Sequence, residues 1–336
     1  MSDQSTKNDA YVRKFSFRPF TGLRRGRIFR MWSISWQWWI HEWDRSRAIK
    51  VLIGFQIFIL FLTNIFVLTF KDIQLQADPT LTTGQILEDT LIPLVRGIVS
   101  FQTRIRGESA GHGDEFGTSF SIGGTSLFIL LLAVLVGSGL IADDITNKTN
   151  EIYYSKLEKY EYIMGKFGAF FIFGNVMITL PYVLEFFLLY IGLGNMDFLA
   201  VLPVLVHVIL FTELVNITYA AIILAFSSLT GRRLYAGLTT FMLLFLANMI
   251  VPSLAFAQGG EVGLQLLTDV LTLLLVSSYL LDGESIIRLD LLGREHTLNL
   301  ANGIGIEGWM IIGSLGLFIF LGISIVILQV YRRHSA

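Results

Sequence analysis

No cysteine occurs among the 336 residues, which removes disulfides, thiolate nucleophiles and cysteine-ligated metals from consideration. Charge is scarce as well: 15% of residues are Asp, Glu, Lys or Arg, against 53% hydrophobic, with a mean hydropathy of +0.64. Soluble domains carry roughly a quarter charged residues, so this composition defines an integral membrane protein. The motifs of energy-using and hydrolytic enzymes are missing too. The only Gly-Lys pair is Gly165-Lys166, and a phosphate-cradling loop would need glycine at 160 and Ser or Thr at 167, where Tyr160 and Phe167 stand. There is no H-E-x-x-H and no G-x-S-x-G, and Val136-Gly137-Ser138-Gly139 lacks the first glycine of an intramembrane serine-protease motif. The chain is therefore not expected to be an enzyme or to hold a cofactor, and any ATP and Mg would sit in a partner. The first forty residues are polar, basic and Trp-rich, unlike a cleavable signal peptide.

What is present is a series of long apolar runs. A span needs roughly 20 apolar residues, and six stretches qualify: 48–70, 119–142, 167–192, 198–229, 235–257 and 309–331. The expected fold is an all-α membrane protein of six spans. A seventh run, 264–281, is short and contains Asp269. If it crossed, Arg332, Arg333 and His334 would lie opposite the basic N-terminus, against the positive-inside rule, so it is expected to be a short re-entrant or outer-leaflet helix. The inner segments then hold 19 Lys and Arg and the outer loops 6. Both termini are thereby expected in the cytoplasm of a plasma-membrane protein, with outer loops at 71–118 and 258–308, an inner segment at 143–166 and an inner tail at 332–336.

Ahead of the first span, residues 1–28 form a polar and then basic tail. Trp32, Trp36, Trp39 and Trp43 follow at helical spacing, which predicts an amphipathic interfacial helix over 29–46 within the 1–47 segment. In the first outer loop, Leu87, Leu91, Leu94, Ile98, Phe101 and Ile105 share a helical face, with Pro93 best tolerated near a helix start. His112, Asp114 and Glu115 fall in a Gly-rich stretch that reads as solvated loop, so no metal site is expected.

Ionisable groups at membrane depth are functional candidates by default: Glu185, His207 and Glu213. In a hairpin centred near Asn195, Glu185 and His207 reach similar depth and could pair. Structural pairing or a bundle-facing carboxyl is the simpler reading of each. Gln56 and Asn64 in the first span and Asn248 in the fifth are further polar residues within apolar runs.

Between the second and third spans, charge alternates with aromatic residues through Asp143, Asp144, Lys148, Glu151, Tyr153, Tyr154, Lys156, Glu158, Lys159, Glu161 and Tyr162. A solvated loop and a short helix docked into a partner's groove are both compatible with this pattern. The run IADDITNKTNEIYYSKLEKYEYIMGK resembles the segment between the second and third spans of ABC type-2 permeases. The acidic pair Asp143-Asp144, then Ile152-Tyr153-Tyr154-Ser155-Lys156, Glu161-Tyr162 and Gly165-Lys166 follow in the family's order, although Leu157 stands where a proline is usual. Leu224 to Leu229 before Arg232-Arg233, and the Trp-rich helix ending at Arg47, echo the family more faintly.

The resemblance implies a permease subunit that pairs with a second permease subunit, binds P-loop ATPase subunits and contacts membrane lipid; no nucleic acid is expected. Coupling would run through Asp144, Ile152, Tyr153, Tyr154, Lys156, Glu158, Lys159 and Tyr162. Gln56, Asn64 and Asn248 would lie by the translocation path or dimer interface. Outward movement of an amphipathic or lipid-like substrate fits the charge-poor membrane path. Two other readings stand beside it: an ion-coupled carrier or channel using Glu185 and Glu213, and a membrane scaffold or sensor without transport.

Overall fold

The computed structural model describes residues 26–78, 80–99, 123–149, 157–194, 196–257, 267–283, 286–291, 294–299 and 307–335; at 27, 30, 45, 123–126, 246–257, 286–291, 294–299 and 334–335 the description is of backbone alone. Helix α1, Arg27–Arg45, is separated from α2, Arg47–Ala77, by Ser46, whose hydroxyl accepts from the Ile49 N–H and caps the new helix. Of the four tryptophans, Trp39 and Trp43 are half-buried and stacked at 5.5 Å, while Trp32 and Trp36 face outward. The buried stripe of α1 is Ile34, Ser35 and Glu42.

Helix α2 continues seven residues past the apolar run, because Lys71 to Ala77 are acceptable in a helix and nothing stops the chain before Asp78. Asp78 sits in an exposed turn, where Thr80 donates to its carboxyl from both N–H and O–H and holds it below the usual carboxylate range. Helix α3, Thr83–Arg96, opens with a reciprocal Thr82/Gln85 capping box. Leu87, Leu91, Leu94 and Ile98 are buried as their spacing predicts, but Pro93 lies in the last turn, not the first, and the helix stops three residues later. Phe101, Ile105, His112, Asp114 and Glu115 fall outside the described residues.

Helices α4, Gly123–Gly137, and α5, Gly139–Thr146, form one apolar run broken at Ser138. The break frees backbone groups that Ser227 satisfies: its hydroxyl donates to Ser138 O at 2.8 Å and accepts from the N–H groups of Ile141 and Ala142. The next span is continuous over Lys159–Leu193, comprising α6 (Lys159–Gly174), a π-helical turn (Asn175–Thr179) and α7 (Leu180–Leu193). Pro181 follows the turn. Its ring crowds the preceding carbonyls and offers no N–H, a recognised cause of local helix widening. A turn through Gly194, at φ 65°, leads to α8, Phe198–Leu229, whose N-cap Asp197 accepts from Leu199 N.

Helix α9, Arg233–Ala257, covers the predicted fifth span. Helix α10, Val270–Leu281, is only 12 residues long and buried from Val270 to Tyr279. At about 1.5 Å per residue it is too short to cross. Strands β1, Ile286–Leu291, and β2, Arg294–Asn299, then pair antiparallel, and α11, Gly308–Ser335, closes the chain. The hairpin is the one departure from the expected helical architecture among the described residues.

Five described helical segments are long and apolar enough to cross a membrane, and α9 supplies a sixth helix of 25 residues. Contacts between helices define the two ends of the bundle. One end gathers Glu42, Ser138 to Thr146, Lys159 to Lys166 and Ser227 to Arg233, together with Tyr331 of α11, whose ring lies 4.3 Å from Lys159 Nζ. The other gathers Lys71 with Gly192, Gly84 with Val201, Arg96 with Asp282, and Leu280 with Gly308. Because α9 starts at the first end and α11 starts at the second, α10 does not add a crossing. Helix α8 is the central post, burying Val208, Phe211, Val215, Tyr219 and Ile223 while α11 packs along it.

Candidate coupling site and buried polar clusters

The adjacent carboxylates Asp143 and Asp144 close α5 and hold different neighbours. Asp144 Oδ2 is 2.7 Å from Lys166 Nζ and accepts from the Tyr162 hydroxyl at 2.7 Å, both on α6. Lys166 is 2% exposed and Tyr162 fully buried. Lys148 adopts φ 56°, which turns the chain so that Thr149 also donates to Asp144. Asp143 faces the other way, 3.6 Å from Arg233 of α9, and the same guanidinium donates to Glu42 of α1 at 2.9 Å and to the Leu135 carbonyl. Thr146 donates to the Gly231 carbonyl, and Ser35 donates to Gly165 O at 2.8 Å. Gly165 permits that approach, since a Cβ there would meet Ile34 at 3.1 Å. Both roots of the segment between α5 and α6 are thus tied to one another and to α1, α8 and α9.

At the start of α6, Glu158 and Glu161 form a capping box; Glu158 is exposed and Glu161 buried. Lys159 is half-buried against Tyr331. Asp144 and Tyr162 therefore face into the protein at the base of the segment. Ile152, Tyr153, Tyr154 and Lys156 lie outside the described residues.

Three polar clusters lie within the bundle. In the first, Glu185 of α7 is 1% exposed and stands beside Asn64 of α2; Glu185 Oε1, Asn64 Oδ1 and Gln56 Nε2 are buried without a hydrogen-bond partner. Gln56 and Asn64 occupy the buried stripe of α2 with Ile49, Leu60 and Val67, while Phe58, Phe61 and Ile65 face outward. The side chain of Asn248 lies outside the described residues.

In the second cluster, His207 does not meet Glu185. Its Nε2 is 2.9 Å from Ser278 Oγ and its Nδ1 is 2.6 Å from Asp282 Oδ1, because α10 fills the space beside the first half of α8. Arg96 of α3 pairs with Asp282, donates to Ser278 at 3.1 Å and stacks 3.7 Å from the Tyr279 ring centre. No sequence signal joins Arg96 to Asp282, 186 positions away; a charged group on the apolar face of α3 was the only hint. In the third cluster, Glu213 of α8 accepts from Asn175 at 3.3 Å and Thr179 at 3.1 Å, both in the π-helical turn, and Asn216 donates to Thr179 at 3.1 Å.

An α-helical, multi-pass membrane protein with no catalytic constellation among its described residues is what fold and site define. The family model of the ABC-2 family transporter protein matches residues 37–329, from within α1 to within α11, and the protein belongs to that family. It is accordingly a transporter permease, as the segment 143–166 led one to expect. No curated protein matches the chain.

Proposed function

We propose that the chain is the permease subunit of an ABC exporter, driven by ATP hydrolysed in a separate P-loop ATPase that docks on the segment between α5 and α6. The observation that carries the reading is the tied root of that segment. A push delivered there reaches α6 through Asp144 and Lys166, α9 and α1 through Arg233, and α8 through Ser227. Ion pairs that are largely buried resist bending, so the helices move as packed bodies between two arrangements. In this scheme Asp144 and Tyr162 transmit force, and the motor's contacts centre on Ile152 to Glu158, with Lys159 beside the α11 end.

The end of the bundle that carries this segment is the cytoplasmic one, and both termini lie on that side of the plasma membrane. A second permease subunit would meet α2 on its apolar face, at Phe58, Phe61 and Ile65, because Gln56 and Asn64 are turned inward. Substrate moves outward. The test is affinity purification of the tagged chain, with whatever complex it forms, from its native membranes. Wild-type chain should retain a subunit that hydrolyses ATP, and Tyr154→Ala with Lys156→Glu should lower retention at least tenfold while the permease stays monodisperse. Retention that is unchanged in the double variant, or no ATP-hydrolysing subunit with the wild type, would reject the docking site or the whole reading respectively.

A further inference from the structure

Glu213 lies midway along the 32-residue α8, about 22 Å from either helix end at 1.5 Å per residue. Its carboxyl is half-buried, and the outward stripe of α8 on which it sits is otherwise apolar: Val206 is 46% exposed, Ile209 37%, Leu210 50% and Ile217 40%. Across from it stands Phe171 of α6, 41% exposed. A carboxyl group at membrane depth, on a face where the described neighbours Val206, Ile209, Leu210 and Ile217 are exposed, is costly and calls for a partner.

The hydrogen bonds set its chemistry. The Asn175 amide nitrogen donates to the Phe171 carbonyl at 3.0 Å, which fixes its orientation, and it also donates to Glu213 Oε2. The Thr179 hydroxyl accepts from Asn216 and so turns its proton to Glu213 Oε1. Both oxygens are therefore held as acceptors, and each keeps a free lone pair. Asn175 and Thr179, four apart, lie on the same side of the helix within the π-helical turn, and π turns recur at functional sites. Among the described residues no Lys, Arg or His lies within ion-pair distance of Glu213.

The described residues of a second copy offer no Lys or Arg at that depth. The described Lys and Arg lie toward helix ends, and Lys166 is already paired with Asp144. We infer that Glu213, with Asn175 and Thr179, forms a lateral binding site for the primary ammonium group of a single-chain amphiphile entering from the lipid. The ammonium donates to the free carboxylate lone pairs while the alkyl chain lies along Ile209, Leu210, Ile217 and Phe171. The binding itself does not depend on ATPase docking; only the description of the ligand as transported substrate rests on the permease reading.

The experiment uses the full chain in phosphatidylcholine nanodiscs, equilibrated with radiolabelled dodecylamine or dodecanol and compared with empty nanodiscs. One saturable dodecylamine site per chain is expected, with no saturable excess for dodecanol. Glu213→Gln, which keeps the shape and removes the charge, should weaken binding at least tenfold, and Glu213→Asp should retain most of it. Absence of saturable binding, or equal binding by Glu213→Gln, overturns the site while leaving the ATPase retention assay untouched. Ile217→Cys in this cysteine-free chain provides a further arm: efficient disulfide crosslinking to another permease chain would show protein covering the face, and would also overturn it.

Discussion

Lys166 is held in place by an internal charge pair. It is long enough to remain in solvent at the end of a span, yet its side chain is 3% exposed and directed at Asp144, which is 14% exposed. Removing one partner from a buried pair costs about 3–5 kcal/mol, because the remaining charge is stranded, whereas replacing both is often near neutral. Asp144→Ala is therefore expected to destabilise the protein by roughly 3 kcal/mol or more, read as a lower midpoint of unfolding in detergent micelles. Asp144→Ala combined with Lys166→Met should recover most of that loss. Equal loss in single and double variants would assign the effect to Tyr162, which donates to the same oxygen. The sequence made Asp143-Asp144 conspicuous, but not that the two carboxylates divide between α6 and α9. That division depends on Arg233, some ninety positions away, and on Glu42 further still.

At the scale of the element, apolar length made the spans legible. Phe198–Leu229 differs by no residue from the run read in the sequence, because Asp197 caps one end and Gly231 follows the other. Breaks inside spans were not legible. The interruption at Ser138 exists because Ser227 of another helix satisfies the freed groups, and the π turn at Asn175–Thr179 shares its polar side chains with α8. The β1–β2 hairpin had a weak local signal, apolar and charged residues alternating from Ile287 to Leu291 ahead of Gly293. Helix packing offers a sharper test. Gly322 of α11 lies so close to α8 that an added Cβ would be 2.7 Å from the Ala221 carbonyl oxygen, whereas a Cβ on Gly316 meets nothing within 4 Å. A backbone carbonyl cannot step aside as a side chain can, so Gly322→Ala should cost about 1–3 kcal/mol by forcing the helices apart. Gly316→Ala should be neutral or slightly stabilising, since alanine favours helix more than glycine does. Similar unfolding midpoints for the two variants would mean that α8 and α11 are not held in close contact in the membrane.

For the whole molecule, the orientation of the bundle decides whether the docking segment can ever meet an ATPase. Internal contacts put Glu158 at the end shared by Glu42, Arg233 and Tyr331, and Thr80 beyond the end of α2, where Lys71 reaches the Gly192 carbonyl. These contacts separate the two ends; loop charge then orients them, with 19 Lys and Arg on the segments read as inner. Both Glu158 and Thr80 are exposed, and the chain contains no cysteine, so single substitutions Glu158→Cys and Thr80→Cys each introduce the sole thiol. In sealed right-side-out vesicles a membrane-impermeant maleimide should label Thr80→Cys and spare Glu158→Cys until the membrane is opened; inverted vesicles should give the reverse. Labelling of Glu158→Cys from outside would invert the bundle and put the segment beyond reach of ATP, so the ABC-driven mechanism would fall with the topology. Labelling of both thiols from one side would mean that α4 and α5 do not cross between them, against the apolar helical run Leu127–Thr146 packed inside the bundle.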